Sequence, residues 1–78
     1  MAQPDLETLT KGSSGIKVLE LQKKFLRFGY GLKVDGLYDK ETEFIVKAFQ
    51  RHFRQSSVNG TADTLTQVTL ENLLEQVP

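Results

Sequence analysis

Apolar residues recur along the chain in three stretches, each with the spacing of one helix face. In KGSSGIKVLELQKKFLRFGYG, Val18, Leu21, Phe25 and Phe28 follow at steps of three, four and three, while Lys17, Glu20, Lys23, Lys24 and Arg27 take the other side. Side chains three and four apart share a face, so the spacing predicts a helix over residues 15–28. Ser13 or Ser14 is the expected N-cap and Gly29 the expected stop, with basic residues suited to the negative end of the helix dipole. A second helix is expected over residues 40–53. Thr42, Ile45, Val46, Phe49 and Phe53 face inward, Phe44 and Ala48 broaden the apolar face, and Lys47, Arg51 and Arg54 point out. A third covers TLTQVTLENLLEQV, with Thr66, Thr69, Leu70, Leu73, Leu74 and Val77 inward. Asp39 and Asp63 are the expected N-caps of these two. The predicted core is Val18, Leu21, Phe25, Ile45, Val46, Phe49, Leu70 and Leu73. Residues 1–10 show no period and read as a loosely ordered lead-in, in which Leu6 and Leu9 could lay one turn on the body; residues 11–78 read as the domain.

The connections repeat. VDGLYDKET begins at Val34 and VNGTADTLT at Val58, 24 positions apart, and both fit V-[D/N]-G-x-x-D-x-x-T. At the same offset Val46 matches Leu70 and Phe49 matches Leu73; at an offset of 28, Val18 matches Val46 and Gln22 matches Gln50. Repetition of this kind points to one supersecondary unit reused. Gly36 and Gly60 can take positive φ, Asp35 and Asn59 can hydrogen-bond the backbone that follows them, and Thr42 and Thr66 fall at the third helical position, where a hydroxyl can bond back toward the cap. The fold class expected is all-α, a compact three-helix domain with long ordered turns.

Composition narrows the function classes. With 78 residues the chain fits one small domain, which buries only about 60% of the surface its unfolded form exposes. It has no cysteine and one histidine, His52, so disulfides and a thiolate or ordinary zinc site are excluded. Ten basic and ten acidic residues give a net charge of zero, which argues against bulk electrostatic binding of nucleic acid or anionic lipid. No apolar run approaches the ~20 residues of a membrane span, and the polar start MAQPDLETLTKG has no signal-peptide core. No cofactor is expected.

Paired carboxylates are the first candidates for chemistry. Asp35 with Asp39, and Glu41 with Glu43, have the residue types of a glycosidase pair, but Asp35 and Asp39 already have work as turn and cap. The D-G-x-x-D run departs from the ligand spacing of a calcium loop. His52, near the end of the second helix, reads as a partly exposed imidazole favoured by the helix C-terminus. No catalytic or metal-ligating set is assigned.

The same residues carry a family resemblance. Gly12, Gly15, Val18, Leu21, Gln22, Phe25, Gly29 and Tyr30, then Asp35, Gly36, Tyr38, Thr42, Val46, Phe49 and Gln50, then Asn59, Gly60, Thr66, Leu70 and Leu73 follow a known order. With them the chain resembles the peptidoglycan-binding domain, a three-helix module of bacterial cell-wall hydrolases. The likeness covers residues 11–74. Asp39 stands where that family usually has glycine, Ile45 where it has alanine and Asn59 where it has a second aspartate. FQRHFR, residues 49–54, is also similar to modules that follow N-acetylmuramoyl-L-alanine amidase domains, although those tend to have proline where Gln55 stands.

The resemblance implies a non-catalytic module that binds peptidoglycan, through glycan, stem peptide or both. Such a module targets an attached or partner hydrolase to the cell wall, periplasm or extracellular space if exported, and is monomeric. The alternative is a protein–protein interaction module on the same fold. Sugars, amides and stem-peptide carboxylates call for aromatic faces, amides and cations. The expected ligand-binding residues are therefore Tyr30, Asp35, Tyr38, Gln50, Arg51 and Arg54. Tyr30 and Tyr38 serve equally as packing residues, and Gln22 and Gln50 as hydrogen-bonders of loop backbone.

Overall fold

The computed structural model describes residues 7–53 and 58–76; the expectations placed on Leu6, Arg54 and Val77 lie outside them. Among the described residues there are three α-helices and no β-strand: α1 (Ile16–Phe28), α2 (Lys40–Phe53) and α3 (Thr64–Glu75). The bounds of α2 are those the apolar spacing predicts.

Each helix end has its own chemistry. Asp39 Oδ1 accepts from the N–H groups of Glu41 and Thr42 at 3.1 and 3.2 Å, and Asp63 Oδ1 accepts from Thr66 N at 2.8 Å. Both satisfy donors that the first helical turn leaves open. The start of α1 differs from expectation. Gly15, not a serine, is its N-cap, with φ 112° and no side-chain cap. Ser13 and Ser14 are committed elsewhere: the Ser13 N–H bonds Thr10 O, its carbonyl accepts from Tyr38 N, and Ser14 bridges Leu37 in antiparallel fashion. This extended entry lies against the first turn so closely that the Gly15 N–H bonds Gly36 O at 3.0 Å. A Cβ on Gly36 would sit 3.3 Å from Gly15 O. At the other end of α1, Gly29 with positive φ bonds Leu26 O, and Tyr30 N–H reaches back to Phe25 O. Such a Schellman ending is often accompanied by a hydrophobic contact across it. Here the Phe25 and Tyr30 rings supply it, edge to face at 5.8 Å.

The core gathers Val18, Leu21 and Phe25 of α1, Ile45, Val46 and Phe49 of α2, and Leu70 and Leu74 of α3, with Tyr38 and Ala62 from the connections. Phe25, Phe28, Phe49 and Phe53 form a run of mostly edge-to-face rings between α1 and α2. Three inward assignments change. Leu73 packs only partly buried at the edge of the core, and Leu74 takes the interior. The residues that α3 buries are Thr66, Gln67, Leu70 and Leu74, a face rotated toward α1 and the N-terminal segment. Thr69 sits off that face, and its hydroxyl bonds Leu65 O one turn back. Phe44 is 63% exposed, because it lies across α2 from Val46.

The segment before α1 is more firmly held than its sequence implies. Leu9 is buried, and its backbone exchanges two hydrogen bonds with Ala62, at 3.0 and 2.8 Å. Gln67 Nε2 donates to Glu7 O at 2.8 Å. The N-terminal segment thus ties the second connection to the body, and Leu9 belongs to the core rather than to a loose lead-in.

Phe49 is fully buried and touches three other rings. Phe49→Ala is expected to lose about 3–5 kcal/mol of stability, the range for a large aromatic removed from a packed interior. Urea denaturation measures it, and a midpoint equal to that of the parent would refute this core.

Candidate ligand-binding surface

The two repeated turns are held by one device used twice. Gln22 of α1 is fully buried. Its Oε1 accepts from the N–H groups of Asp35 and Gly36 at 3.0 and 2.8 Å. Its Nε2 donates to Leu37 O at 2.9 Å and Thr42 Oγ1 at 3.0 Å, with Asp35 Oδ1 longer at 3.3 Å. Gln50 of α2 repeats every contact on the second turn. Oε1 accepts from Asn59 N and Gly60 N at 3.0 and 2.9 Å, and Nε2 donates to Thr61 O, Thr66 Oγ1 and Asn59 Oδ1 at 2.9, 3.1 and 3.2 Å. Asp35 and Asn59 each accept from the N–H two residues on, at 3.0 and 2.9 Å. A primary amide offers two donors and an acceptor with two lone pairs, and each clip uses all of them. The threonine hydroxyls serve these clips, a contact the expected bond back toward the helix cap did not include.

Two expected ligand residues are thereby interior. Gln50 is fully buried with its amide saturated by its own loop, so it cannot reach a ligand. Tyr38 is 2% exposed and its hydroxyl donates to Gly60 O, joining the first turn to the second. Its contrast with Ala62, the same position in the second repeat, is a difference of core packing. Both rings' hydroxyls are harder to ionise than usual. Burial raises Tyr38 far above the ordinary value, with the Glu43 carboxylate adding to it, and burial raises the half-buried Tyr30 as well.

Tyr30, Asp35 and Arg51 remain at the surface in different settings. Tyr30 closes the end of α1, its ring against Phe25 and Phe28. Asp35 is exposed on the first turn. The Leu37 N–H holds its carboxyl below the usual range, with smaller help from the Gln22 amide and Lys33. Arg51 is exposed in the last turn of α2, beside His52, whose ring stands against Phe53. Among the described residues no hydrogen bond, ion pair or ring contact joins these three to one another. No group of three or more His, Asp or Glu side chains among them could hold a metal ion.

Two further concavities lie along the seam between α1 and α3, meeting at Lys24. One, about 80 Å³, is lined by Glu7, Leu9, Lys17, Glu20, Leu21, Lys24 and Gln67. A second, about 160 Å³, is lined by Lys24, Arg27, Glu71, Leu74 and Glu75. Sequence reasoning passed over them because each of these charges, taken singly, reads as solvated surface.

A family model for the peptidoglycan binding domain matches residues 14–70. The chain belongs to the peptidoglycan binding domain family. It is 38% identical over 61 residues to N-acetylmuramoyl-L-alanine amidase AmiD of Escherichia coli K12, covering 78% of this chain and 22% of that protein. Among solved structures it resembles the SleB N-terminal domain, with TM-score 0.81, 31% identity and coverage of 90% of this chain and 96% of that one. It also resembles a Burkholderia AP3 phage endolysin, with TM-score 0.76, 34% identity and coverage of 82% and 24%. A third likeness is to a fused zinc-dependent amidase, peptidase and peptidoglycan-binding domain-containing protein of Clostridium acetobutylicum, with TM-score 0.75, 30% identity and coverage of 92% and 30%. The chain thus spans about a fifth of the amidase and under a third of the two larger solved chains. For a peptidoglycan binding domain the twin clips explain the recurring glutamine, Asx-Gly and threonine positions as turn-holding parts.

Gln50→Leu orphans the N–H groups of Asn59 and Gly60, at about 1–3 kcal/mol for each group left unpaired. Gln50→Glu does worse at neutral pH, since it sets a buried carboxylate against the Thr61 carbonyl and the Asn59 amide oxygen. Its folded-state pKa is raised, so its deficit relative to Leu should shrink in acid, as protonation restores a donor; denaturation midpoints at acidic and neutral pH check this.

Tyr38 supplies a pH signature of its own. Its folded pKa lies above the unfolded value of about 10, so its contribution is complete below that pH and is lost as pH rises past it. Tyr38→Phe should be less stable at neutral pH, by about 0.5–1.5 kcal/mol for the hydrogen bond. It should also show a shallower alkaline decline than the parent, and parallel declines would remove Tyr38 as the cause.

Proposed function

We propose that this chain is a non-catalytic module that binds peptidoglycan of the bacterial cell wall and holds an attached or partner hydrolase there. The observation that carries the reading is the family match running from residue 14 to residue 70, through α1, α2 and both clips and into the first half of α3. Relatives that are an amidase and an endolysin support the association with hydrolases. Binding of this kind acts by raising local concentration: a modest affinity becomes a long residence once the catalytic unit is tethered to the same scaffold. The site of action is the wall itself, in the periplasm or outside the cell.

The chemistry of the carboxylates favours binding over catalysis. A glycosidase needs one carboxyl with a raised pKa to protonate the leaving group. Asp35 has the opposite shift and accepts from the Leu37 N–H, while Asp39 caps α2. The surface proposed to meet the wall contains Tyr30, Asp35 and Arg51, with Arg54 added on sequence grounds alone. Tyr30 offers an aromatic rim with a hydroxyl, Asp35 an acceptor, and Arg51 a fork of donors.

Co-sedimentation with purified insoluble peptidoglycan tests the reading. The chain should pellet with the wall. Tyr30→Phe and Arg51→Gln should each weaken retention roughly two- to tenfold, the worth of one hydrogen bond. Retention no better than that of an unrelated small protein would overturn wall binding. New products from labelled muropeptides incubated with the chain would overturn the non-catalytic assignment.

A further inference from the structure

The repeat assigns a job to one face of each helix. On α1, Gly15, Leu19 and Gln22 lie against the first turn, with Gly15 O and Leu19 Cβ placed 3.3 and 3.9 Å from a Cβ on Gly36. On α2, Glu43, Lys47 and Gln50 lie against the second turn, with Glu43 Cγ and Lys47 Cε placed 2.8 and 3.0 Å from a Cβ on Gly60. The 24-residue shift puts Gln67, Glu71 and Leu74 on the same face of α3. The N-terminal segment occupies its Gln67 end, where the amide donates to Glu7 O. The rest of the face, Glu71 and Leu74, borders the 160 Å³ cavity against α1. The clip glutamine is replaced there by Leu74, so this face has an apolar floor in place of a loop-holding amide.

The walls of that cavity carry opposite charges. Lys24 and Arg27 line it from α1, Glu71 and Glu75 from α3. Lys24 and Glu71 approach at 3.6 Å with 36% and 40% of their side chains exposed, a geometry in which an ion pair contributes little and exchanges readily. Arg27 and Glu75 face the same space, and neither forms an ion pair among the described residues. Glu75 is also poorly placed for its own helix. It is the last residue of α3, which has no basic residue in its last turn, so its charge adds to the negative end of the dipole.

We propose that the α1–α3 groove binds a short zwitterionic peptide, with a ligand carboxylate on Arg27 and Lys24 and a ligand ammonium on Glu71 and Glu75. The guanidinium presents a planar fork matched to a carboxylate, and the cavity admits an amino-acid-sized group. Resting on the wall-binding reading above, this assigns recognition in the groove to the stem peptide of peptidoglycan, whose ammonium and carboxylates supply a counter-charge for each wall, whereas sugar hydroxyls hydrogen-bond these side chains but bring no charge to either.

Backbone-amide NMR titration of the chain tests this with a synthetic stem peptide that has a free amine and free carboxylates. The same peptide, acetylated and amidated, is the control. Shifts should cluster on residues 24–27 and 71–75, and the capped peptide should bind at least severalfold more weakly. Arg27→Gln and Glu75→Gln should each weaken binding about two- to fivefold, the range of exposed charge pairs, while Lys40→Gln, at an exposed position at the start of α2, leaves it unchanged. Shifts centred on Tyr30, Asp35 and Arg51, or affinity indifferent to Arg27→Gln, would overturn the groove. Retention on insoluble peptidoglycan with no response to the peptide refutes the groove and leaves wall binding standing; loss of both refutes the wider reading.

Discussion

Two buried glutamine amides set the terms for the rest of this structure. Among the described residues the turns that lead into α2 and α3 form no strand ladder, so their buried N–H and C=O groups need partners from elsewhere. Gln22 and Gln50 supply those partners, each joining two N–H groups, a carbonyl and a threonine hydroxyl of the next helix. Among the described residues no buried side-chain nitrogen or oxygen lacks a hydrogen bond. Because each clip ends on the third residue of the following helix, it also fixes where that helix starts. In this way a side chain in mid-helix positions the next helix, and the apolar faces meet in register.

The same constraint accounts for the close backbone approaches. A turn drawn onto a helix by its own amides leaves little room: Gly36 and Gly60 adopt positive φ and a Cβ would crowd Gly15 O or the Glu43 and Lys47 side chains. Tyr38 then links the two turns through its hydroxyl, and the Leu9–Ala62 backbone pair closes the second turn onto the N-terminal segment. These contacts occupy the side chains that would otherwise be the best ligand candidates. Among the described residues the rim and the charged seam between α1 and α3 stay at the surface, and these are the surfaces proposed for recognition.

The asymmetry of the third repeat is what leaves the groove proposed to bind peptide. Two helices have their clip face covered by a turn of the same polypeptide; the third has Leu74 in the glutamine position, Glu71 beside it and an open groove against Lys24 and Arg27. A peptidoglycan binding domain built this way keeps its fold-determining hydrogen bonds inside and presents weak, exchangeable ion pairs outside. That division fits the proposed role, in which a modest affinity is multiplied by tethering.

The pattern of apolar positions determined three helices, the bounds of α2, both aspartate caps and most of the core, because helix periodicity and capping are local properties. The spacing also exposed the repeat, and with it the likeness to the family. Only the tertiary structure decided between the two jobs open to Gln50 and Tyr38, since amide and phenol chemistry suits a loop carbonyl as well as a ligand. It also placed Gly15 rather than a serine at the start of α1, and Leu74 rather than Leu73 inside. Both outcomes depend on which chain segment lies alongside: the first turn for the serines, α1 and the N-terminal segment for α3. The groove was invisible for the same reason. The basic pair Lys24 and Arg27 lies far in sequence from the acidic pair Glu71 and Glu75, and their charges face one another only because the packing of α3 against α1 brings them across a shared space.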